Sequence, residues 1–211
     1  MPFPTTSVLD TFNRPDENPL ASGWLGPLTF TGENQLKVLS NQAAGTTADP
    51  SFNSSYWNTT YGPDVEAYAK VPAINIGNRI EIYARIVDVH PIDGTDAYCV
   101  SVAGTAWTLR KITNSSSVAI GAIETLTALA ANDEFGIEIV GTTLNAWHKP
   151  VAGAWTLLFS RTDSTWTTAG FTGLRCFGDI FRIDDFGGGN RVGTSLSDDP
   201  PIGFIGRGAG W

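Results

Sequence analysis

Two acidic residues at alternate positions of a predicted strand are the first candidates for chemistry. Asp64 and Glu66 lie two residues apart, and residues two apart on a strand share one face. A retaining glycosidase needs two carboxyl groups about 5–5.5 Å apart across the sugar. The alternative is a solvated strand face, because the apolar residues of this stretch fall on the opposite face; these are Val65, Ala67, Ala69 and Val71. The solvated face is favoured, and the chain is predicted to be non-catalytic.

Nucleophilic catalysis has little support in the sequence. The chain has two histidines, His90 and His148, and no Gly-x-Ser-x-Gly turn that would expose a nucleophilic serine. His148 is expected at the surface of a strand. Cys99 and Cys176 are 77 residues apart, a spacing that matches no zinc or redox motif. They could form one disulfide bond or remain buried free thiols.

Aromatic side chains offer a different chemistry, the binding of sugars. The flat, amphipathic rings of Trp and Tyr can stack on the apolar C–H surface of a sugar ring. Tyr56, Trp57 and Tyr61 lie close together in a stretch rich in Asn and Thr, and they are the candidate ligand-binding residues. Sugar contact, a protein interface and packing within the loop are equally open for them. Trp147 and Trp166 could stack on a sugar in the same way.

Charge and hydropathy exclude several classes of partner. There are 13 Lys and Arg residues against 21 Asp and Glu residues, which gives a formal net charge of −8. Binding to phosphate backbones requires clustered cations, which this sequence lacks, so no nucleic-acid partner is expected. No window reaches the roughly 18 apolar residues of a membrane helix, so membrane insertion is not expected either. The first residues do not resemble a secretory signal.

Period-two alternation of apolar residues runs through most of the chain and predicts a series of strands. The clearest examples are residues 65–71 and 80–86. Turn-forming residues recur about every ten residues, which is typical of an all-β, two-sheet antiparallel sandwich or jelly roll. The one helix-like stretch, residues 125–131, is too short to change that class. Three tryptophans on alternating strands are predicted core residues: Trp107, Trp147 and Trp155.

Two segments depart from this strand pattern. Residues 41–63 are rich in Asn, Ser, Thr and Gly and are predicted to form a long loop. Residues 187–211 begin with three glycines and are not expected to extend the sandwich. The predicted organisation is therefore a jelly-roll domain at residues 1–187 and a Gly-rich C-terminal arm at residues 188–211. Five residues of this arm are predicted to contact a partner: Pro200, Pro201, Phe204, Ile205 and Trp211.

Short motifs in a fixed order resemble the concanavalin A-like lectin/glucanase (laminin-G-like) jelly rolls of phage and bacterial surface or structural proteins. Asp10-Thr-Phe-Asn-Arg14, followed by Gly23-Trp24, is similar to their entry strand, and Arg182-Ile-Asp-Asp-Phe186 is similar to their closing strand. The resemblance spans about residues 7–188. It implies that the first and last strands lie near each other and that Phe12 and Phe186 enter the core. The Glu-x-Asp-x-x-Glu pattern of the glucanases of this fold does not occur.

The same resemblance implies a possible metal site. Related jelly rolls often carry a structural Ca²⁺ near the first and last strands, and Ca²⁺ is bound by carboxylate and amide oxygens. The matching residues are Asp10, Asn13, Asp184 and Asp185. Acidic residues at strand ends also serve as turn formers, and this alternative stays open. No cofactor other than one structural calcium is expected.

Together these features favour a non-enzymatic structural or adhesion protein of a virus particle, such as a phage capsid decoration, tail or fibre component. The C-terminal arm would bind neighbouring virion subunits or further copies of this chain, and the domain could bind a host cell-surface glycan. The expected location is the virion, with the extracellular space or cell surface as the alternative. A free-standing carbohydrate-binding module or lectin is the second hypothesis. A glycoside hydrolase or lyase of the same fold is the third.

Overall fold

The computed structural model describes residues 2–28, 30, 32–74, 78–90 and 94–192. Within these ranges the chain forms strands and no helix. No helix of the described residues is long and apolar enough to cross a membrane. The predicted partner contacts lie outside the described residues; they are Pro200, Pro201, Phe204, Ile205 and Trp211.

Most of the strands coincide with the stretches that alternate with period two. In chain order the strands are β1 (Val8–Asp10), β2 (Trp24–Leu25), β3 (Asn34–Gln35), β4 (Lys37–Leu39), β5 (Gln42–Ala44), β6 (Phe52–Trp57), β7 (Val65–Ala73), β8 (Arg79–His90), β9 (Gly94–Ala103), β10 (Ala106–Thr113), β11 (Ser116–Ala119), β12 (Glu124–Thr125), β13 (Asp133–Val140), β14 (Thr143–Lys149), β15 (Thr156–Thr162), β16 (Phe171–Phe177) and β17 (Arg182–Asn190).

The strands form two sheets that pack face to face. The first sheet has the order β15-β14-β13-β7-β17-β5-β4, with β1 also paired to β17. The second sheet has the order β11-β10-β9-β8-β16-β6-β2, with β12 paired to β10 and β3 paired to β6. Every described strand pair is antiparallel except β3 with β6. The predicted all-β, two-sheet sandwich is confirmed.

The first and last strands lie side by side, as the resemblance implied. β1 pairs with β17 through Val8 opposite Gly187 and Asp10 opposite Phe186. Phe12 and Phe186 are fully buried in the core between the sheets. Their rings both contact Trp24, with centroids 5.7 Å and 4.9 Å away. An aromatic cluster of Phe12, Trp24 and Phe186 therefore fills the core next to the paired strands β1 and β17.

The three consecutive glycines are part of the sandwich, against expectation. β17 continues through Asn190, three residues beyond the predicted domain boundary at residue 187. Gly187, Gly188 and Gly189 pair with β7. A Cβ atom on Gly187 would lie 2.1 Å from Cζ of Tyr68, so only glycine allows the Tyr68 ring to pack against this strand. Composition alone suggested a flexible run, whereas the run permits close packing.

The strands and the burial of side chains correct three further expectations. The segment 41–63 holds two strands, β5 and β6, instead of one long loop. His148 is buried, with Nε2 2.9 Å from Oδ2 of Asp133. Trp107 is a fully buried core residue as predicted. Trp147 and Trp155 instead lie half-buried on the outer side of the first sheet, because His148 and Trp147 alternate along β14.

Candidate functional site

The structure brings together two of the three aromatic residues predicted to bind ligand, Trp57 and Tyr61, and separates Tyr56 from them. Tyr56 lies on the outer side of the second sheet, 5.4 Å from the ring of Phe171. Trp57, the next residue of β6, points to the opposite side and packs edge-on against Trp24 at 5.5 Å. Tyr61 is half-buried against the core and bridges to Gly170. The side chain of Tyr61 also hydrogen-bonds to that of Trp57. Successive residues of a strand face opposite ways, so Tyr56 shares no stacking surface with these two residues.

A buried charged cluster lies on the outer side of the second sheet. Nε of Arg175 is 2.5 Å from Oε1 of Glu33, and its Nη1 is 2.9 Å from Oε2 of Glu81. Tyr83 donates a hydrogen bond to the same Oε2 at 2.8 Å, and Ser54 donates to Glu33 at 2.5 Å. We call Glu33, Ser54, Glu81, Tyr83 and Arg175 the charged cluster. One guanidinium group thus holds two carboxylates.

Two aromatic rings enclose the cation of this cluster. The guanidinium carbon of Arg175 lies 3.6 Å from the ring centroid of Phe52 and 4.2 Å from that of Phe30. Ring faces attract cations, and the attraction strengthens when water is excluded. Phe30 and Glu33, which follow β2 and precede β3 in the chain, both contact Arg175. These residues therefore cover Arg175 and supply one carboxylate of the charged cluster.

Burial and charge shift the two carboxyl groups in opposite directions. Burial raises the pKa of Glu33 more than the charge of Arg175 lowers it. Burial also acts to raise the pKa of Glu81, but the charge and hydrogen bond of Arg175 outweigh it and the pKa is lowered. Burial, together with the charge of Glu81, raises the pKa of Tyr83 well above its ordinary value. Tyr83 is therefore a permanent hydrogen-bond donor.

A depression opens beside the charged cluster. It has a volume of about 260 Å³ and is lined by Phe52, Asn78, Arg79, Ala103 and Phe177. We call it the aromatic depression. The rings of Phe52 and Phe177 meet edge-to-face at 4.7 Å. The ring of Phe52 lines the depression and also contacts the guanidinium group of Arg175.

The aromatic depression contains the hydrogen-bond donors of Arg79 and Asn78, and the buried carboxylate of Glu81 lies next to Arg79. The side chain of Arg79 is 38% exposed, and its Nε lies 3.9 Å from Oε1 of Glu81. No described group donates a hydrogen bond to that buried oxygen. The amide of Asn78 donates to Asp49 at 3.3 Å. Apolar ring surface beside a guanidinium and an amide can bind a ligand with an apolar face and hydroxyl groups at its edge.

The outer side of the first sheet is covered by residues 2–6, which we call the N-terminal segment. Glu66, which sequence analysis placed on a solvated face, is fully buried beneath it. Oε1 of Glu66 accepts hydrogen bonds from the amides of Thr5 and Thr6 and from the Thr6 hydroxyl. Asp64 is exposed and accepts from the amide of Gly141. Asp64 and Glu66 therefore do not face one ligand together.

Aromatic rings complete the contact between the N-terminal segment and this sheet. The ring of Phe3 stacks on Trp147 at 4.9 Å with an interplanar angle of 5°, and it meets Trp155 edge-on at 4.8 Å. Tyr68 lies beneath both, 6.2 Å from Phe3 and 5.9 Å from Trp155. Gly136 leaves room for Phe3, since a Cβ atom there would lie 2.8 Å from the Phe3 ring.

The four residues predicted to bind calcium do not form a cage of free oxygens. Both oxygens of Asp10 accept hydrogen bonds from Nη1 of Arg14, at 2.7 and 3.0 Å, and Trp24 Nε1 donates to one of them at 2.7 Å. Asn13 is exposed. Burial raises the pKa of Asp184, and the charges of Asp185 and Asp10 add to this. The Asp10 carboxylate is therefore already paired with Arg14, a cation that it shares with Glu17.

The other potential metal ligands of the described residues are likewise not grouped, and the cysteines are protonated thiols. Among the described residues, no group of three or more His, Cys, Asp or Glu side chains is placed to hold a metal ion. Both cysteines are buried free thiols, which decides the alternative left open by the sequence. Burial raises the pKa of Cys99 well above its ordinary value and that of Cys176 to about 12. The thiols are therefore protonated and unreactive at neutral pH.

Comparison with known proteins places this architecture. No protein-family model and no curated protein matches the sequence. A β-glucanase of Bacillus licheniformis is similar in structure at a TM-score of 0.59 and 14% identity, over 87% of this chain and 97% of that one. The chain has the concanavalin A-like lectin/glucanase jelly-roll fold. The resemblance noted in the sequence is thereby confirmed.

Two other concanavalin A-like structures are similar over nearly their whole length. The CBM2 module of the evolved Dit protein of Lactobacillus casei BL23 phage J-1 has a TM-score of 0.56 and 13% identity, over 90% of this chain and 98% of that one. The exoplasmic/lumenal domain of VIP36, in a form bound to Ca²⁺ and Man2, has a TM-score of 0.60 and 10% identity, over 93% of this chain and 92% of that one. Likeness at this identity concerns the fold, so function depends on sites.

Sequence reasoning missed the charged cluster and the aromatic depression. One signal was present: Arg175 is a charged residue inside the apolar stretch Phe171-Thr-Gly-Leu-Arg-Cys-Phe177, and Glu81 has a similar place in β8. Charges at such positions are rarely buried unless they are paired. The partner Glu33, however, lies 142 residues from Arg175. Period-two patterns cannot reveal pairing over that separation.

Proposed function

We propose that this protein is a non-enzymatic carbohydrate-binding module that takes a sugar ring in the aromatic depression. The observation that carries the proposal is the arrangement of Phe52, Phe177 and Arg79 around one open volume. The phenyl rings supply apolar surface for the C–H face of a sugar. The guanidinium supplies hydrogen-bond donors for its hydroxyl groups. The bound Man2 of VIP36 indicates that this fold can carry such a ligand.

The absence of catalysis is supported by the state of the nearby carboxylates. Glycoside hydrolysis needs one carboxyl group to deliver a proton and another to attack or activate water. Glu33 and Glu81 both bind Arg175, and both are buried. Since each is fixed on the same cation, neither is presented to a ligand in the depression. A hydrolase or lyase of the same fold remains the alternative, and the glucanase likeness is what favours it.

We further place this module on a virus particle, as a phage capsid-decorating, tail or fibre component that adheres to host-surface glycans. The likeness to a module of a phage J-1 protein supports this placement. Weak binding at one site would be strengthened when many copies are displayed together. The residues after β17, which ends at Asn190, would hold the module to neighbouring subunits. A free-standing lectin at the cell surface or outside the cell is the second candidate, favoured by the VIP36 likeness.

A glycan array with the full chain tests the binding site. We expect wild-type protein to bind a defined set of glycans and the Arg79→Ala and Phe177→Ala variants to lose at least about tenfold in affinity. A hydrogen bond from a charged group contributes about 1.5–3 kcal/mol, and 1.4 kcal/mol is tenfold. Arg161→Ala, the same change on an edge strand of the first sheet, is the matched control. Equal loss in the control, or no glycan bound by wild type, would contradict the proposal.

Incubation of the bound glycans with wild-type protein tests the enzyme alternative. We expect no cleavage products by mass spectrometry. Turnover that disappears in Glu81→Gln but persists in Arg161→Ala would identify a hydrolase or lyase instead. The placement on a virus particle is tested by mass spectrometry of purified virions. We expect the chain to be present there, and its absence would contradict the placement.

A further inference from the structure

The N-terminal segment lies on the first sheet without being a strand of it. Residues 2–6 form no strand and no described bridge. They are held by the Glu66 carboxylate, by the Tyr68 hydroxyl, which donates to the carbonyl of Thr6 at 2.9 Å, and by the Phe3 ring. Ser7, which links the segment to β1, is exposed. Release of the segment would therefore leave every strand pair intact.

The surface beneath the segment has the features of a peptide-binding groove. Phe3 is only 4% exposed, because Trp147, Trp155 and Tyr68 surround it. Beside this aromatic pocket, one oxygen of Glu66 accepts the consecutive backbone amides of Thr5 and Thr6, a contact with the main chain at the point where the segment bends. The other oxygen, Oε2, is buried and accepts no hydrogen bond from a described group. The groove thus combines a pocket for one side chain with recognition of the main chain.

We propose that this groove binds residues 2–6 of a second copy, so that neighbouring copies exchange N-terminal segments. Each groove then makes the contacts that it makes within one chain, and exchange costs mainly the entropy of association. The segment Pro-Phe-Pro-Thr-Thr is uncharged, so its docking is not opposed by the net charge of −8 on each chain. Exposed Leu157, which pairs with Trp147 across β14 and β15, and exposed Val151 supply further apolar surface.

The concentration of copies sets when exchange occurs. A segment on a short linker reaches its own groove at an effective concentration in the millimolar range. Segments of other copies compete only when their local concentration is comparable. Free protein at micromolar concentration would keep its own segment docked, while closely packed copies would exchange. The inference is independent of glycan binding, because it concerns the opposite face of the sandwich.

The groove can be tested with the full-length Phe3→Ala chain, whose own segment is weakened, and the synthetic peptide Pro-Phe-Pro-Thr-Thr-Ser-Val. Tryptophan fluorescence reports binding, since Phe3 stacks on Trp147. We expect saturable binding below about 1 mM. The same peptide with Ala for Phe3 should bind more than about tenfold more weakly, because truncating a buried Phe removes several kcal/mol. Adding Glu66→Gln to the chain should weaken both peptides.

Two results would overturn the proposal. One is the absence of binding up to 5 mM by a Phe3→Ala chain whose circular dichroism matches wild type. The other is equal binding of the two peptides. If Phe3→Ala does not fold, the Phe3→Leu variant is used in its place, because leucine keeps part of the apolar contact. Sedimentation of wild type should then show association that rises through the millimolar range and is lost in the Phe3 variant; wild type that stays monomeric there would also exclude exchange.

Discussion

The two outer faces of the sandwich are each covered by a piece of the same chain, but by different physical means. On the first sheet, the N-terminal segment is held by stacked uncharged rings and by one carboxylate that binds main-chain amides. On the second sheet, the covering segment carries Glu33 to a cation that is shared with Glu81. The second cover is also tied to β6 through the parallel strand β3. The first cover is separable, whereas removing the second would take one of its two carboxylates from the buried Arg175.

Among the changes proposed for the two faces, removal of Arg175 is expected to lower the free energy of unfolding most. Arg175→Met leaves Glu33 and Glu81 buried without their cation, and breaking a buried ion pair costs about 3–5 kcal/mol. Chemical denaturation followed by fluorescence should show this loss in the free energy of unfolding. The triple variant with Glu33→Gln and Glu81→Gln should recover part of it. A loss below about 1 kcal/mol for Arg175→Met would mean that the cluster is not charged in the folded protein.

Truncation of Phe3 should have a smaller and local effect. Phe→Ala in a core costs about 3–5 kcal/mol, but the N-terminal segment can undock without unfolding the sandwich, so the loss is limited to the free energy of docking, about 1–3 kcal/mol. Hydrogen exchange should show lost protection at the amides of Thr5 and Thr6 with unchanged protection in β7. Loss of protection throughout β7 would show that the first cover is as integral as the second.

Gly187→Ala probes the first face from the other side. The new methyl group would collide with the Tyr68 ring, and overpacking typically costs about 1–3 kcal/mol. Since Tyr68 donates to Thr6, we expect the N-terminal segment to loosen together with the ring. Gly62→Ala, whose nearest neighbour would be 3.3 Å away, is the matched control. Thermal denaturation of the two variants measures the difference, and equal melting temperatures would count against close packing at Gly187.

Calcium chelation is expected to have no effect on either face. Both oxygens of Asp10 already accept hydrogen bonds from Arg14 or Trp24, so we expect no metal ion to bind them at the junction of β1 and β17. The melting temperature should be the same in EDTA and in millimolar Ca²⁺. A rise of several degrees with Ca²⁺ would place an ion at this junction, and Asp184→Asn would then remove that rise.

The sequence was sufficient for the sandwich because period-two alternation is a local property. It placed most of the longer strands, including β7 and β8, and the motifs around Asp10 and Phe186 indicated which strands meet. It was insufficient for both covers, because each depends on contacts across the fold. Glu66 is two residues from the exposed Asp64 and is likewise acidic, yet it is buried by a segment 60 residues earlier. Nothing local distinguishes the two carboxylates.

Glycine and aromatic content were misleading for a related reason. The run at 187–189 has the composition of a linker, but its lack of side chains is what admits Tyr68. Tyr56 and Trp57 are neighbours in sequence and therefore face opposite ways in a strand. Phe52 and Phe177 form the candidate site because two paired strands bring them together across 125 residues. Residue type was informative, but its meaning depended on register.

The hydrogen bond from the amide of Val192 to the hydroxyl of Thr5 has a practical consequence. Positions 5 and 192 are side by side, so a short peptide that replaces residues 1–4 and 193–211 could join them, with loss of the Phe3 contacts, and the chain could be opened elsewhere. The exposed turn at Val151–Gly153, between β14 and β15, is a suitable opening because its residues are solvent-accessible. Such a circularly permuted protein would carry its new ends at the rim of the first sheet and would leave the aromatic depression of the second sheet accessible from solution.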